Sequence, residues 1–306
     1  MAVGEPPVVW SLTEADAHAG WRALSWSAGP DGELAVLLVQ RHHLSPSEYV
    51  KGWPGWGTAN PFDAELVIVP ARGPERRIPV DGIGLRPTHL ALLPRSRFLL
   101  ASGRAGQDAD GTWRDNAVVY SPEGRPEAAL CLGDDIAALV SDARGGTWTA
   151  YGDEGIFGAH PQSREGLAGW NTAGAATWVP PHRFPEGPVH GLTAATQGPY
   201  AWLAWSHPRG TFLTRIDPAT GLAAGYRCPL RYVDGLAVRG DRAVLSRREH
   251  DEPFTELVRV DLVDGECVIT DRQRVPLPGR VVMQCGQGRD GTLWLRAGDA
   301  WVRIEV

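Results

Sequence analysis

Along the chain, short apolar runs of Val, Leu, Trp and Tyr alternate with clusters of Gly, Asp and Pro, and helical spacing is scarce. Runs of this kind bounded by turn residues predict strands. One unit recurs: a short apolar strand, a turn holding Asp or Gly, then a Trp- or Val-rich strand. It reads WRALSWSAGPDGELAVLLVQ (21–40), PTHLALLPRSRFLLASG (87–103), DIAALVSDARGGTWTAYG (135–152), VHGLTAATQGPYAWLAWS (189–206), VDGLAVRGDRAVLSR (233–247) and VVMQCGQGRDGTLWLRAG (281–298).

Most copies continue into a second hairpin, as in AELVIVPARGPERRIPV (64–80), NAVVYSPEGRPEAALCL (116–132), TFLTRIDPATGLAAGYRCPL (211–230) and TELVRVDLVDGECVITDRQRVPL (255–277). The third copy offers only ATWVPPH (176–182) as an obvious outer strand. Four antiparallel strands per repeat make a blade of a β-propeller, which removes exposed sheet edges by radial repetition around a channel. The last copy adds AWVRIEV (300–306), so PPVVWSL (6–12) is expected to pair there as the missing outer strand. The expected fold is all-β: one six-bladed domain over 1–306, with blades near 21–80, 87–132, 135–182, 189–230, 233–277 and 281–306 plus 6–12.

Composition narrows the function classes. A formal net charge of -6 and a pI near 5.9 exclude a broad nucleic-acid footprint. There is no apolar run long enough to span a membrane, and MAVGEPPVVWSL lacks the pattern of a secretory leader. A cytoplasmic monomer is expected, with a small molecule rather than nucleic acid or membrane as its partner. Cys131, Cys228, Cys267 and Cys285 form no CxxC pair and read as small buried hydrophobes.

With these repeats the chain resembles six-bladed propellers of the broad NHL, SMP-30 and strictosidine-synthase-like kind, and GTWTAY followed by DEGIFG resembles uncharacterised bacterial propeller proteins. The GH and WD dipeptides of WD40 repeats are missing. The Glu, Asn and Asp set that holds a divalent cation in SMP-30-type enzymes has no counterpart here, so their lactonase chemistry is not carried over.

Long, chemically loaded connections are all expected on one face: 41–63, 103–116, 151–171, 205–210 and 247–253. The opposite turns, such as AGPDGE (28–33) and DPATG (217–221), are short. Loops beyond about 12–15 residues are usually functional or disordered. Trp53, Trp56, Trp113, Phe157 and Trp170 give these loops something to pack with.

Aligning the inner strands at their first residues puts Arg22, His89, Asp135, His190, Asp234 and Val282 around one end of the channel. His89, His190, Asp135 and Asp234 could hold a divalent metal. The same groups could instead do metal-free acid–base work, or line a merely wet channel. Asp153 and Glu154 sit where a strand leaves the ring and add adjacent carboxylates to the catalytic candidates, ahead of His160. Arg22 and Arg247 are candidate anion clamps, Asp234 a substrate contact, and Trp53 and Trp56 an aromatic wall. DADGTWRDN (108–116) lacks the spacing of a calcium loop. GxxxxGKS, GxSxG and HExxH motifs are absent. The expected function is an enzyme, a lyase, isomerase or hydrolase, acting on a small polar molecule at the channel mouth by acid–base or metal-assisted chemistry. The rival is a non-catalytic module that binds a protein or carbohydrate through its Trp-bearing loops.

Overall fold

The computed structural model describes residues 4–50, 53–56, 61–180, 187–248 and 254–306, without the side chains of 45–50, 53–56 and 282–284. The chain is built from short strands. After β1 (Val8–Ser11) and the helical turn α1 (Glu14–His18), they follow in antiparallel quartets. The first is β2 (Trp21–Ala28), β3 (Leu34–Gln40), β6 (Phe62–Val69) and β7 (Arg76–Ile83). A separate hairpin, β4 (Leu44–Val50) with β5 (Trp53–Trp56), is inserted between β3 and β6.

The second quartet is β8 (His89–Leu92), β9 (Phe98–Ala101), β10 (Ala117–Tyr120) and β11 (Pro126–Leu130). The third is β12 (Ile136–Ser141), β13 (Thr147–Tyr151), β14 (Leu167–Trp170) and β15 (Ala176–Trp178), with the helical turn α2 (Asp153–Ile156) between β13 and β14.

The remaining strands share a twelve-stranded sheet that falls into three antiparallel runs. These are β16 (His190–Gln197) to β17 (Tyr200–His207), β18 (Gly210–Ile216) and β19 (Ala223–Cys228); then β20 (Gly235–Arg239) to β21 (Arg242–Arg248), β22 (Phe254–Val263) and β23 (Glu266–Pro276); and finally β24 (Val281–Arg289), β25 (Thr292–Ala297), β26 (Ala300–Glu305) and β1. Strand pairing joins one run to another through short parallel contacts, β16 with β24 and β19 with β23.

The inner strands touch in a closed cycle, β2 to β8 to β12 to β16 to β20 to β24 and back to β2. Successive side chains of the central strands point to opposite faces and are buried on both, as in LAVLLVQ of β3 and FLLA of β9, so each quartet packs both faces against its neighbours. The core therefore lies in layers between consecutive quartets. Leu37, Leu66, Leu90 and Phe98 fill the first layer, and Trp148, Trp178, Leu203 and Trp205 a later one. Bulky Trp side chains fill these layers, which accounts for the high Trp content.

The seam joins the two ends of the chain. β1 pairs antiparallel with β26, Val8 opposite Val302 and Ser11 opposite Ala300, as the repeat requires. Trp10 packs on Trp301 at 5.2 Å and donates from its indole to Glu75 Oε2 at 2.7 Å. The buried Arg296 donates to the carbonyls of Leu24 (3.1 Å) and Ala23 (3.0 Å), where β2 departs from regular register.

Two expectations change. The stretch 151–171 is not all loop, because Leu167–Trp170 is the third strand of its quartet. Likewise 41–63 carries a hairpin of its own. Among the described residues no helix is long and apolar enough to cross a membrane.

Candidate functional site

Strand register decides which loops share a face. His89 lies opposite Ala101, Ile136 opposite Tyr151, and His190 opposite Ser206, so each inner strand starts at the end where its partner finishes. The long connections between second and third strands therefore gather over one end of the channel.

A cavity of about 70 Å³ lies inside this ring, lined by Ser25 and Trp26 of β2, His89 and Leu90 of β8, Leu139 of β12, Thr193 of β16, Gln287 of β24 and the adjoining Thr88. The Gln287 side chain accepts from Ala28 N (2.7 Å) and Ser27 Oγ (3.2 Å) and donates to the Leu139 carbonyl (3.1 Å), bridging β2 and β12 across the axis. Two residues on, the fully buried Arg289 donates to the carbonyls of Ala28 (3.0 Å) and Ser141 (2.8 Å) and to Thr196 Oγ1 (2.8 Å). Burial pushes its ionisation down to about 10, which still leaves it charged at neutral pH. Among the described residues no carboxylate lines the cavity.

The Ser25 and Thr88 hydroxyl oxygens are buried and have no hydrogen-bond partner among the described residues. Buried polar atoms are nearly always paired with protein or water, so these two point to a polar occupant. His89 Nε2 donates to the Ile136 carbonyl at 2.7 Å. That bond puts the proton on Nε2 and leaves Nδ1 as an acceptor. Burial lowers the ring's pKa against smaller opposing effects from the Ile136 carbonyl and the Asp135 charge, favouring the neutral imidazole.

The other expected residues form a rim, part of it interconnected. Asp135, in the left-handed region at φ 60°, accepts from Gly155 N at 3.1 Å and so anchors α2 over the neighbouring strand. Asp153 on α2 faces His190 at the head of β16, Oδ1 to Nδ1 3.7 Å. Glu154 meets Arg104, whose Nε and Nη2 also bind the nearly buried carboxylate of Asp134 at 2.9 and 3.2 Å. His160, 4% exposed, sits farther along under the edge of Trp113 (4.8 Å) with its Nε2 3.6 Å from Cys131 Sγ. It fastens one long loop to another.

Three residues expected at the mouth have other partners. Arg22 is turned back from the axis, its Nη1 donating to the Ala17 and Trp21 carbonyls at 3.1 and 2.6 Å, because the last turn of α1 and the start of β2 place carbonyls within its reach. Arg247 is occupied by Glu256 (3.1 Å), which also takes Arg272 (2.9 Å), so it is an inter-strand tie. Asp234, 6% exposed, accepts from Arg248 N at 2.8 Å and pins β21. Among the described residues no three His, Cys, Asp or Glu side chains gather as a metal site would need, so His89, His190, Asp135 and Asp234 are not brought together as one ligand set. The side chains of Trp53, Trp56 and Val282 lie outside the described residues.

Reading the sequence missed Ser25, Thr88, Gln287, Arg289 and Arg104. The alternation in CGQGRDG carried the signal for two of them, since Gln and Arg two apart on an inner strand share one face.

The whole chain has structural likenesses. It is similar to the PQQ-bound aldose sugar dehydrogenase of Streptomyces coelicolor at TM-score 0.51 and 12% identity, covering 98% of this chain and 97% of that one. It is also similar to U3-55K at TM-score 0.51 and 7% identity, covering 99% and 98%. The fold is a β-propeller. At such identities the likeness speaks to the propeller alone. No family model and no curated protein matches the sequence.

Proposed function

We propose that the antiparallel quartets are six blades, and that this propeller binds a small molecule bearing a carbonyl or carboxylate oxygen in its axial cavity and acts on it by proton transfer. The observation that carries the reading is the conjunction, in one cavity, of two hydroxyls with no partner among the described residues and a histidine that donates from Nε2. Ser25 and Thr88 would donate to the ligand oxygen. His89 Nδ1 would take a proton from the adjacent carbon or from water, as a neutral imidazole does near its own pKa. Arg289, buried beyond Gln287 among neutral acceptors, favours negative charge developing above it. Asp153 and His190 would stand at the rim where the ligand enters.

A second reading has its own support. Phe157, at the end of α2, is 75% exposed beside this rim, as a surface contact for a protein or sugar would be. The two readings separate in one experiment. A panel of small carboxylates, ketones and lactones is tested for thermal stabilisation of the wild type, Ser25→Ala with Thr88→Val, and Phe157→Ala. Stabilisation lost in the hydroxyl variant and kept in Phe157→Ala supports the cavity. Stabilisation that survives in the hydroxyl variant overturns it. With a stabilising compound in hand, His89→Gln should keep binding and lose turnover.

A further inference from the structure

Cys228 and Cys267 lie 39 residues apart in sequence, yet they close the outer edges of two consecutive blades against each other. β19 and β23 run parallel there, with Arg227 paired to Glu266 and Arg227 N donating to the Gly265 carbonyl at 2.8 Å. The next residue along each strand is the cysteine. Since side chains alternate, Arg227 and Glu266 face solvent while both thiols turn inward. They share one apolar cluster with Leu230, Val260 and Leu262, and each thiol shifts the ionisation of the other. Paired positions on adjacent strands fall in the Cα separation that a disulfide needs, about 4.4–6.8 Å.

We propose that Cys228 and Cys267 are an oxidation site that closes a disulfide between the two blades when the protein meets hydrogen peroxide. The Cys228 sulfur attacks one peroxide oxygen; an S–O bond forms, the O–O bond breaks, and hydroxide leaves with the Cys228 proton as water. The Cys267 sulfur then attacks the Cys228 sulfur, the S–S bond forms, the S–O bond breaks, and the hydroxyl leaves as water with the Cys267 proton. Two thiols lose two electrons in all, and one peroxide is reduced to two waters. Cys228 is the attacking group, because the neighbouring Cys267 thiol lowers its pKa while that of Cys267 rises. Cys131, half-buried against His160, and Cys285, buried elsewhere, have no such neighbour among the cysteines.

The test uses the intact wild-type chain. Native protein is treated with excess hydrogen peroxide, quenched, alkylated under denaturing conditions and digested without reductant for peptide mass mapping. The expected result is a linked Cys228–Cys267 peptide, lighter by two hydrogens, that dithiothreitol reverses, with a melting temperature raised by roughly 5 °C. Cys267→Ser should abolish the linked peptide and the rise together. Recovery of Cys228 and Cys267 both still alkylated, with or without oxidation at Cys131, overturns the proposal, as does a linkage of either cysteine to any other partner.

Discussion

Arg289 and Ala28 stand 261 residues apart, and the guanidinium of one grips the carbonyl of the other through two donors, Nε at 3.3 Å and Nη2 at 3.0 Å. The same guanidinium reaches Ser141 and Thr196, so one side chain ties the last inner strand to three others. Arg289→Met keeps the aliphatic stem and leaves buried carbonyls and hydroxyls unpaired. It should lower the unfolding free energy by about 3 kcal/mol, read from urea midpoints. An unchanged midpoint would mean that water replaces the bridge at no cost.

The contact between β20 and β24 rests on bare backbone. A Cβ on Gly286 would fall 2.5 Å from Gly235 Cα and 2.9 Å from the Asp234 carbonyl, groups that cannot swing aside. Gly286→Ala should cost about 1–3 kcal/mol by forcing β20 and β24 apart. Gly84 gives the control, because a Cβ there would meet nothing within 4 Å among the described residues: Gly84→Ala should leave the melting temperature in place.

Closure of the ring depends on Trp10. Its ring is almost wholly buried on Trp301, and its indole nitrogen is held by Glu75. Trp10→Ala should destabilise by about 3 kcal/mol, while Trp10→Phe, which keeps an aromatic contact with Trp301 but loses the hydrogen bond and part of the ring, should cost about 1–2 kcal/mol. Equal losses in the two variants would place the stability in the hydrogen bond instead.

How far the sequence foretold this follows from what each signal depends on. Strand alternation and turn residues are local, so the repeated hairpins and the pairing of β1 with β26 could be read from the chain. The third blade was obscured because LAGW is short and follows a loop rich in glycine, leaving its strand character to tertiary pairing with β13. At the channel mouth, aligning the inner strands gave no side-chain direction. Arg22 and Arg247 found carbonyls and carboxylates beside them before they could reach the axis. Ser25 and Thr88 are ordinary as letters; they become informative only once burial leaves them without a partner among the described residues. The meeting of Cys228 and Cys267 depends on the register of two outer strands, which no local spacing encodes.

His89 makes stability depend on pH with a definite sign. Burial holds its folded-state ionisation below the ordinary imidazole value of about 6.5, while the Ile136 carbonyl and the charge of Asp135 pull weakly the other way. Between the folded-state value and about 6.5 the unfolded chain binds more protons, so stability rises with pH across that window and falls on acidification. His160 is shifted in the same direction by burial and adds to the slope. His89→Gln can still donate to the Ile136 carbonyl and has nothing to protonate. Urea titrations of both proteins from about pH 5 to 7.5 should show the wild type losing more stability than the variant toward acid. Because carboxylates titrate alike in both, the difference between the curves isolates His89. Parallel curves would show that the ring is solvated when folded, and with it the acceptor role of Nδ1 would fall.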